Sequence, residues 1–169
     1  MSQLPEVWLR GPVAAIPVLL QPVVHALLQS QEEVHRYLAD FPGDKLWVKP
    51  AGAASVGFHL QHLTGVADRL FTYARNQPLT DQQLEYLAKE GVPDESLSAE
   101  DLINAFDRQI SLSIAYLKTL DPATLTEYRP VGRKQLPSTV LGLLFHAAEH
   151  TQRHVGALYV TVRVVKELP

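Results

Sequence analysis

The stretch from Thr139 to Val165, which contains LLFHAAEHTQRHVGALYV, repeats its apolar side chains at helical intervals for far longer than a strand runs. At about 100° per residue, Leu144, Thr151, Val155, Leu158 and Val162 fall on one stripe. A helix of this length must bury that stripe against other elements, and the rest of the chain supplies further helical patterns rather than strands. The same helix carries His146, His150 and His154 at i, i+4 and i+8, so neighbouring imidazoles share a face one turn apart. His146 and His154 stand about 12 Å apart along the axis at 1.5 Å per residue, too far to share one ion. The candidate pairs are therefore His146/His150 and His150/His154. His154 lies nearest the edge of the apolar stripe, His150 next, and His146 beside the polar sector of Glu149 and Arg153. The helical phase favours His150 and His154 as the inward pair. Glu149 and Arg153, at i,i+4, are expected to form a solvated ion pair.

Before this helix, Val18, Leu19, Val23, Leu27, Val34 and Leu38 predict a helix over about Val13–Ala39. Pro17 and Pro22 argue for a kinked first turn or a start at Pro22. Trp8 and Leu9, in an irregular lead-in over residues 1–12, are expected to pack on the body. Phe41–Ala54 is a loop with Trp47 as its anchor. Ser55 is placed to cap a second helix reaching Tyr73 or Arg75, with Val56, Leu63, Ala67, Leu70 and Ala74 as its core stripe. His59 sits close to that stripe and His62 on its flank, with Arg69 and Tyr73 further along nearly the same side. Residues 76–97 form a long connection, in which Thr80 caps a short helix over Asp81–Glu90 that Gly91 and Pro93 end. Ser98 and Asp101 form a capping box for a third long helix to Leu120, with Asp107 and Arg108 as solvated charges. Asp121–Pro137 reads as a loop made locally basic by Arg129, Arg133 and Lys134, and Ser138 caps the histidine helix. His25 and His35 share no site and read as structural or surface residues. The expectation is an all-α, single-domain chain over residues 1–169: a four-helix bundle with a long crossover between helices 2 and 3 and one short extra helix.

Composition narrows the chemistry. The 169 residues contain no Cys, so there is no disulfide, thiolate ligand or Cys nucleophile, and a metal must bind through N and O. A net charge of −3 without a basic run disfavours nucleic acid as a partner. The N-terminal apolar stretch, broken by Pro12, Pro17, Gln21 and Pro22, lacks the pattern of a signal peptide. No apolar run is long enough to span a membrane, and the expected setting is the cytoplasm. A phosphate-binding Gly loop, a dinucleotide fingerprint and a nucleophile elbow are all missing from the sequence.

HLQHLTG in the second helix and EHTQRHVGAL in the fourth resemble the DinB/YfiT-like family of metalloenzymes. The order and spacing of four helices extend the resemblance over nearly the whole chain. It implies a four-helix bundle with a long crossover, a divalent ion such as zinc or nickel held by three histidines with positions left for water, and a homodimer. Matched by motif, the ligands are His62, His150 and His154, with His59 as a pocket or supporting residue; position along the two helices adds Arg69, Tyr73 and His146 as pocket candidates. The resemblance decides for His62, because periodicity alone places His59 deeper. The family often has Gln after the motif glycine, where this chain has Ala157, so no supporting role transfers to that position. The implied activity is transfer of a low-molecular-weight thiol to an electrophilic small-molecule substrate, or a related isomerisation or hydrolysis, with Arg69 or the 129–134 loop holding a carboxylate. The alternative is a non-catalytic, stress-associated metal- or ligand-binding protein. A competing local pattern, His146-Ala147-Ala148-Glu149-His150, matches the inverted zinc-protease signature, but only Glu167 lies downstream as a carboxylate ligand.

Overall fold

The computed structural model describes residues 4–168. Four long helices, α1 (Gln21–Leu38), α2 (Val56–Ala74), α4 (Ala99–Leu117) and α5 (Val140–Glu167), form the bundle, and a short α3 (Asp81–Lys89) lies in the crossover. α5 packs on α1 and α2, and α4 packs on the same two helices from the other side, leaving α4 and α5 diagonal. Phe71 of α2 and Phe106 of α4 are fully buried, as are Leu27 of α1 and Leu144 and Leu158 of α5. α2 is buried around most of its circumference, including the polar His59, Gln61, Arg69 and Thr72. A helix so enclosed must satisfy its polar groups inside the protein.

Local chemistry sets most boundaries as expected. α1 starts with Pro22 in its first turn, where a missing N–H costs nothing, and the preceding prolines leave only 3₁₀ turns. Ser55 accepts a hydrogen bond from Phe58 N, and Thr80 and Ser98 each complete a capping box. Two polar ties join α1 to its neighbours: Gln152 Nε2 donates to Ala26 O and Ser30 Oγ, and Asp107 accepts from Gln31 and His35. Asp107 is thus a bridge between α4 and α1, not a solvated charge. Among the described residues His25 hydrogen-bonds Gly11 O alone, in keeping with a structural role.

Three further expectations change. Trp8 and Leu9 are exposed at 60% and 57%, and Val7 is the buried residue of that turn; residues 1–3 of the lead-in lie outside the described residues. Within the basic loop, β1 (Tyr128–Val131) and β2 (Leu136–Thr139) form an antiparallel hairpin. Pro130 pairs with Pro137, so neither removes a ladder N–H that its partner needs. Third, Thr139 rather than Ser138 caps α5, accepting from Gly142 N. The hairpin is anchored to the end of α2 by Arg129 Nε, which donates to Ala74 O at 2.9 Å. No described helix is long and apolar enough to cross a membrane.

Candidate metal centre

The α2–α5 interface brings together His59 and His62 from one helix and His150 and His154 from the other. His62, His150 and His154 offer ring nitrogens that all lie within 4.8 Å of one another. The i,i+4 spacing on α5 stacks His150 and His154 with ring centroids 4.6 Å apart, and His62 fits between them at 5.3 and 4.4 Å. All three are half-buried, so the cluster opens to solvent on one side. Phe58, one turn before His62, lies parallel to its ring at 5.3 Å and closes another side.

Each imidazole is oriented differently. His62 Nδ1–H donates to Glu90 Oε2 at 2.7 Å, which leaves Nε2 as the lone-pair nitrogen facing the cluster. Glu90 Oε1 accepts from Arg69 Nη1 at 2.6 Å, so the carboxylate is held from both sides and is nearly buried. His154 Nδ1 lies 3.3 Å from Nδ1 of the buried His59, whose Nε2 lies 3.4 Å from Thr161 Oγ1. His154 Nε2 is therefore the nitrogen left for the cluster. His150 Nε2 meets His62 Nε2 at 3.0 Å, while its buried Nδ1 has no hydrogen-bond partner among the described residues.

These features fit a divalent ion. Two nitrogens bound tetrahedrally at zinc–nitrogen distances of 2.0–2.1 Å stand about 3.3 Å apart, close to the observed His62–His150 separation. Histidine must be neutral to bind a metal, and the site favours that form. Burial, and then the charge of His62, push His59 down to about 4. Burial, then the charges of His62, His150 and His59, push His154 down to about 4 as well. His150 is lowered too, first by burial.

The other expected site residues fall in different places. His59 lies behind His154, deeper than His62, as the periodicity predicts. Arg69 is occupied by Glu90 and buried, so it presents no free cation to a substrate. Tyr73 lines a separate cavity of about 420 Å³ with Asn76, Leu84, Pro130 and Arg133, which none of the histidines lines. Arg129 is tied to Ala74 O and Glu127. Among the cations, Arg153 stands near enough for its charge to disfavour protonation of His150 and His154, and it pairs with Glu149 as expected. His146 is half-exposed on the rim, with Nδ1 2.6 Å from Glu149 Oε1. His146, Glu149 and His150 also have ligand atoms within 4.8 Å of one another. Glu167, however, lies 17 residues beyond His150 on the same helix, about 25 Å away at 1.5 Å per residue, and cannot complete a protease-type site.

Sequence reasoning missed Glu90. Its one signal is a carboxylate at the C-cap of α3, where the helix dipole disfavours negative charge. Such a placement calls for a compensating cation, and Arg69 supplies it.

A helical bundle whose crossover and two facing helices enclose a half-open cluster of imidazoles could hold a metal ion, through nitrogen and oxygen donors because the chain has no Cys. The family profile described as the DinB superfamily matches residues 26–158. The chain belongs to the DinB superfamily. No curated protein sequence matches it significantly. A crystal structure of a protein from Streptococcus pneumoniae, determined in a structural genomics programme, is similar with a TM-score of 0.62. It is 14% identical, and the match covers 86% of this chain and 88% of that one. At that identity the likeness supports the fold alone.

Proposed function

We propose that His62, His150 and His154 hold a divalent zinc or nickel ion, and that the protein is a metal-dependent enzyme acting on a small molecule. The observation that carries this reading is the convergence of three imidazoles, with Nε2 of His62 and His154 turned towards the cluster by partners at Nδ1, on a point open to solvent. A bound ion would supply Lewis acidity, lowering the pKa of a water or thiol and presenting it as a nucleophile near neutral pH. The chain's own residues do the rest. Glu90 and His59 fix ring orientation, Phe58 shields one side, and Arg153 at the rim, paired with Glu149 but 61% exposed where Arg69 is buried, offers a cation to an anionic substrate group. That last role was expected of Arg69 or the 129–134 loop. Arg69 is engaged by Glu90, and Tyr73, beside Arg133, is 11 residues and about 16 Å along α2 from His62. Transfer of a low-molecular-weight thiol to an electrophile is the reaction class proposed, with hydrolysis or isomerisation as its relatives.

A cytoplasmic homodimer completes the proposal. Phe145, Tyr159, Val160 and Val164 leave an apolar edge of α5 exposed, in support of a second copy packing there. The test is to load tag-free, metal-stripped protein with zinc or nickel and assay a panel of thiols and electrophiles. Metal-dependent thiol consumption, lost in His62→Ala, is the expected result. Tight metal binding that raises the melting temperature, with no turnover across the panel, would instead establish the non-catalytic alternative.

A further inference from the structure

We propose that Glu90 is a positioning residue for His62, through which metal binding and docking of the crossover are coupled. The inference rests on the three-histidine reading and extends it to the crossover. Glu90 follows directly on α3 and is the carboxylate that touches His62, at 2.7 Å through Nδ1. Donation to Oε2 fixes the ring tautomer with its lone pair on Nε2, the nitrogen that faces His150. Arg69 holds the other carboxylate oxygen, so the geometry is set from α2 at both ends.

The approach is built into the backbone. A Cβ at residue 65 would collide with Glu90 Oε1, and would lie 2.6 Å from Arg69 Nη1, so glycine is what admits the pair to the surface of α2. Gly91 then turns the chain with φ 81°, and its N–H donates to Gln61 Oε1 at 2.7 Å, next to His62. α3 itself contributes no buried side chain. Polar contacts, together with the Tyr86 ring lying over Gly65, therefore hold it to α2, and Glu90 is the buried one among the polar groups. An element with so little apolar burial belongs to the easily opened part of a fold. If docked Glu90 raises the affinity for the ion, the ion must stabilise docked α3 by the same factor.

The experiment measures zinc affinity by competition with a chromophoric chelator for wild type, Glu90→Ala, Glu90→Gln and Glu85→Ala. In parallel, ¹⁵N NMR reads the His62 tautomer in metal-free protein, and hydrogen exchange reads residues 84–91 with zinc or with EDTA. Glu90→Ala should bind zinc about 10–100-fold more weakly. Glu90→Gln, which keeps an acceptor, should lose less, and Glu85→Ala, whose partner is the exposed Lys89, should match wild type. His62 should carry its proton on Nδ1, and zinc should slow exchange in residues 84–91 of wild type but not of Glu90→Ala. A His62 proton on Nε2, or folded Glu90 variants with wild-type zinc affinity, would overturn the inference while leaving the three-histidine site standing. A wild type that binds no zinc would overturn both.

Discussion

Gly65→Ala and Gly156→Ala are the same chemical change in the interior of two long helices, and they should move stability in opposite directions. Alanine in a helix interior is favoured over glycine by about 1 kcal/mol. At Gly156 no described atom of the same chain lies within 4 Å of the new Cβ, so that gain should appear nearly whole in the monomer. At Gly65 the Cβ falls 2.6 Å from Arg69 Nη1 and 2.8 Å from Tyr86 Cε1, and closer still to Glu90 Oε1. Overpacking costs about 1–3 kcal/mol. Pushing Glu90 off His62 forfeits a charged hydrogen bond of about 1.5–3 kcal/mol. Against the helix gain, the net loss is about 1.5–5 kcal/mol. Urea denaturation of metal-free protein, with unchanged slope as a check on two-state behaviour, measures both. In thermal melts each kcal/mol corresponds to roughly 2–4 °C for a chain of this size. Zinc affinity should fall in Gly65→Ala and stay at the wild-type value in Gly156→Ala. Gly65→Ala equal in stability to Gly156→Ala would refute the claim that the helix surface at residue 65 is reserved for Glu90. A destabilised Gly156→Ala would show that this face of α5 is covered in solution.

Zinc binding should be lost in His62→Ala, His150→Ala and His154→Ala and kept in His146→Ala, as read by metal content after dialysis; loss at 146 with retention at 154 would reverse the ligand assignment. The metal-free protein should lose stability as pH falls from about 6.5 towards 4, because His59 and His154 stay neutral in the fold down to about 4 whereas unfolded histidine protonates near 6.5. Melting temperatures in EDTA across that range test the sign, and a flat profile would contradict the depressed values. Phe106→Ala should cost about 3–5 kcal/mol, the usual penalty for emptying a fully buried aromatic position. A loss below 1 kcal/mol in urea denaturation would mean that the bundle collapses into the space.

What the sequence determined by itself is whatever depends on local spacing. Apolar residues at helical intervals marked the four long helices, and Ser55, Thr80 and Ser98 marked their own caps because capping uses side chains within three residues. The i,i+4 spacing of His150 and His154 is likewise local, as is the phase that turns both towards α2. The hairpin escaped notice because its evidence is non-local: Pro130 and Pro137 each look like strand breakers until they are seen opposite one another. Periodicity could rank His59 as deeper than His62 but could not decide which faces His150, since that depends on how two helices cross. Arg69 looked like a free cation because its partner, Glu90, comes 21 residues later, across the crossover. Charge pairing and metal-ligand convergence depend on distances in space between residues remote in sequence, and only packing of α2, α3 and α5 sets those distances.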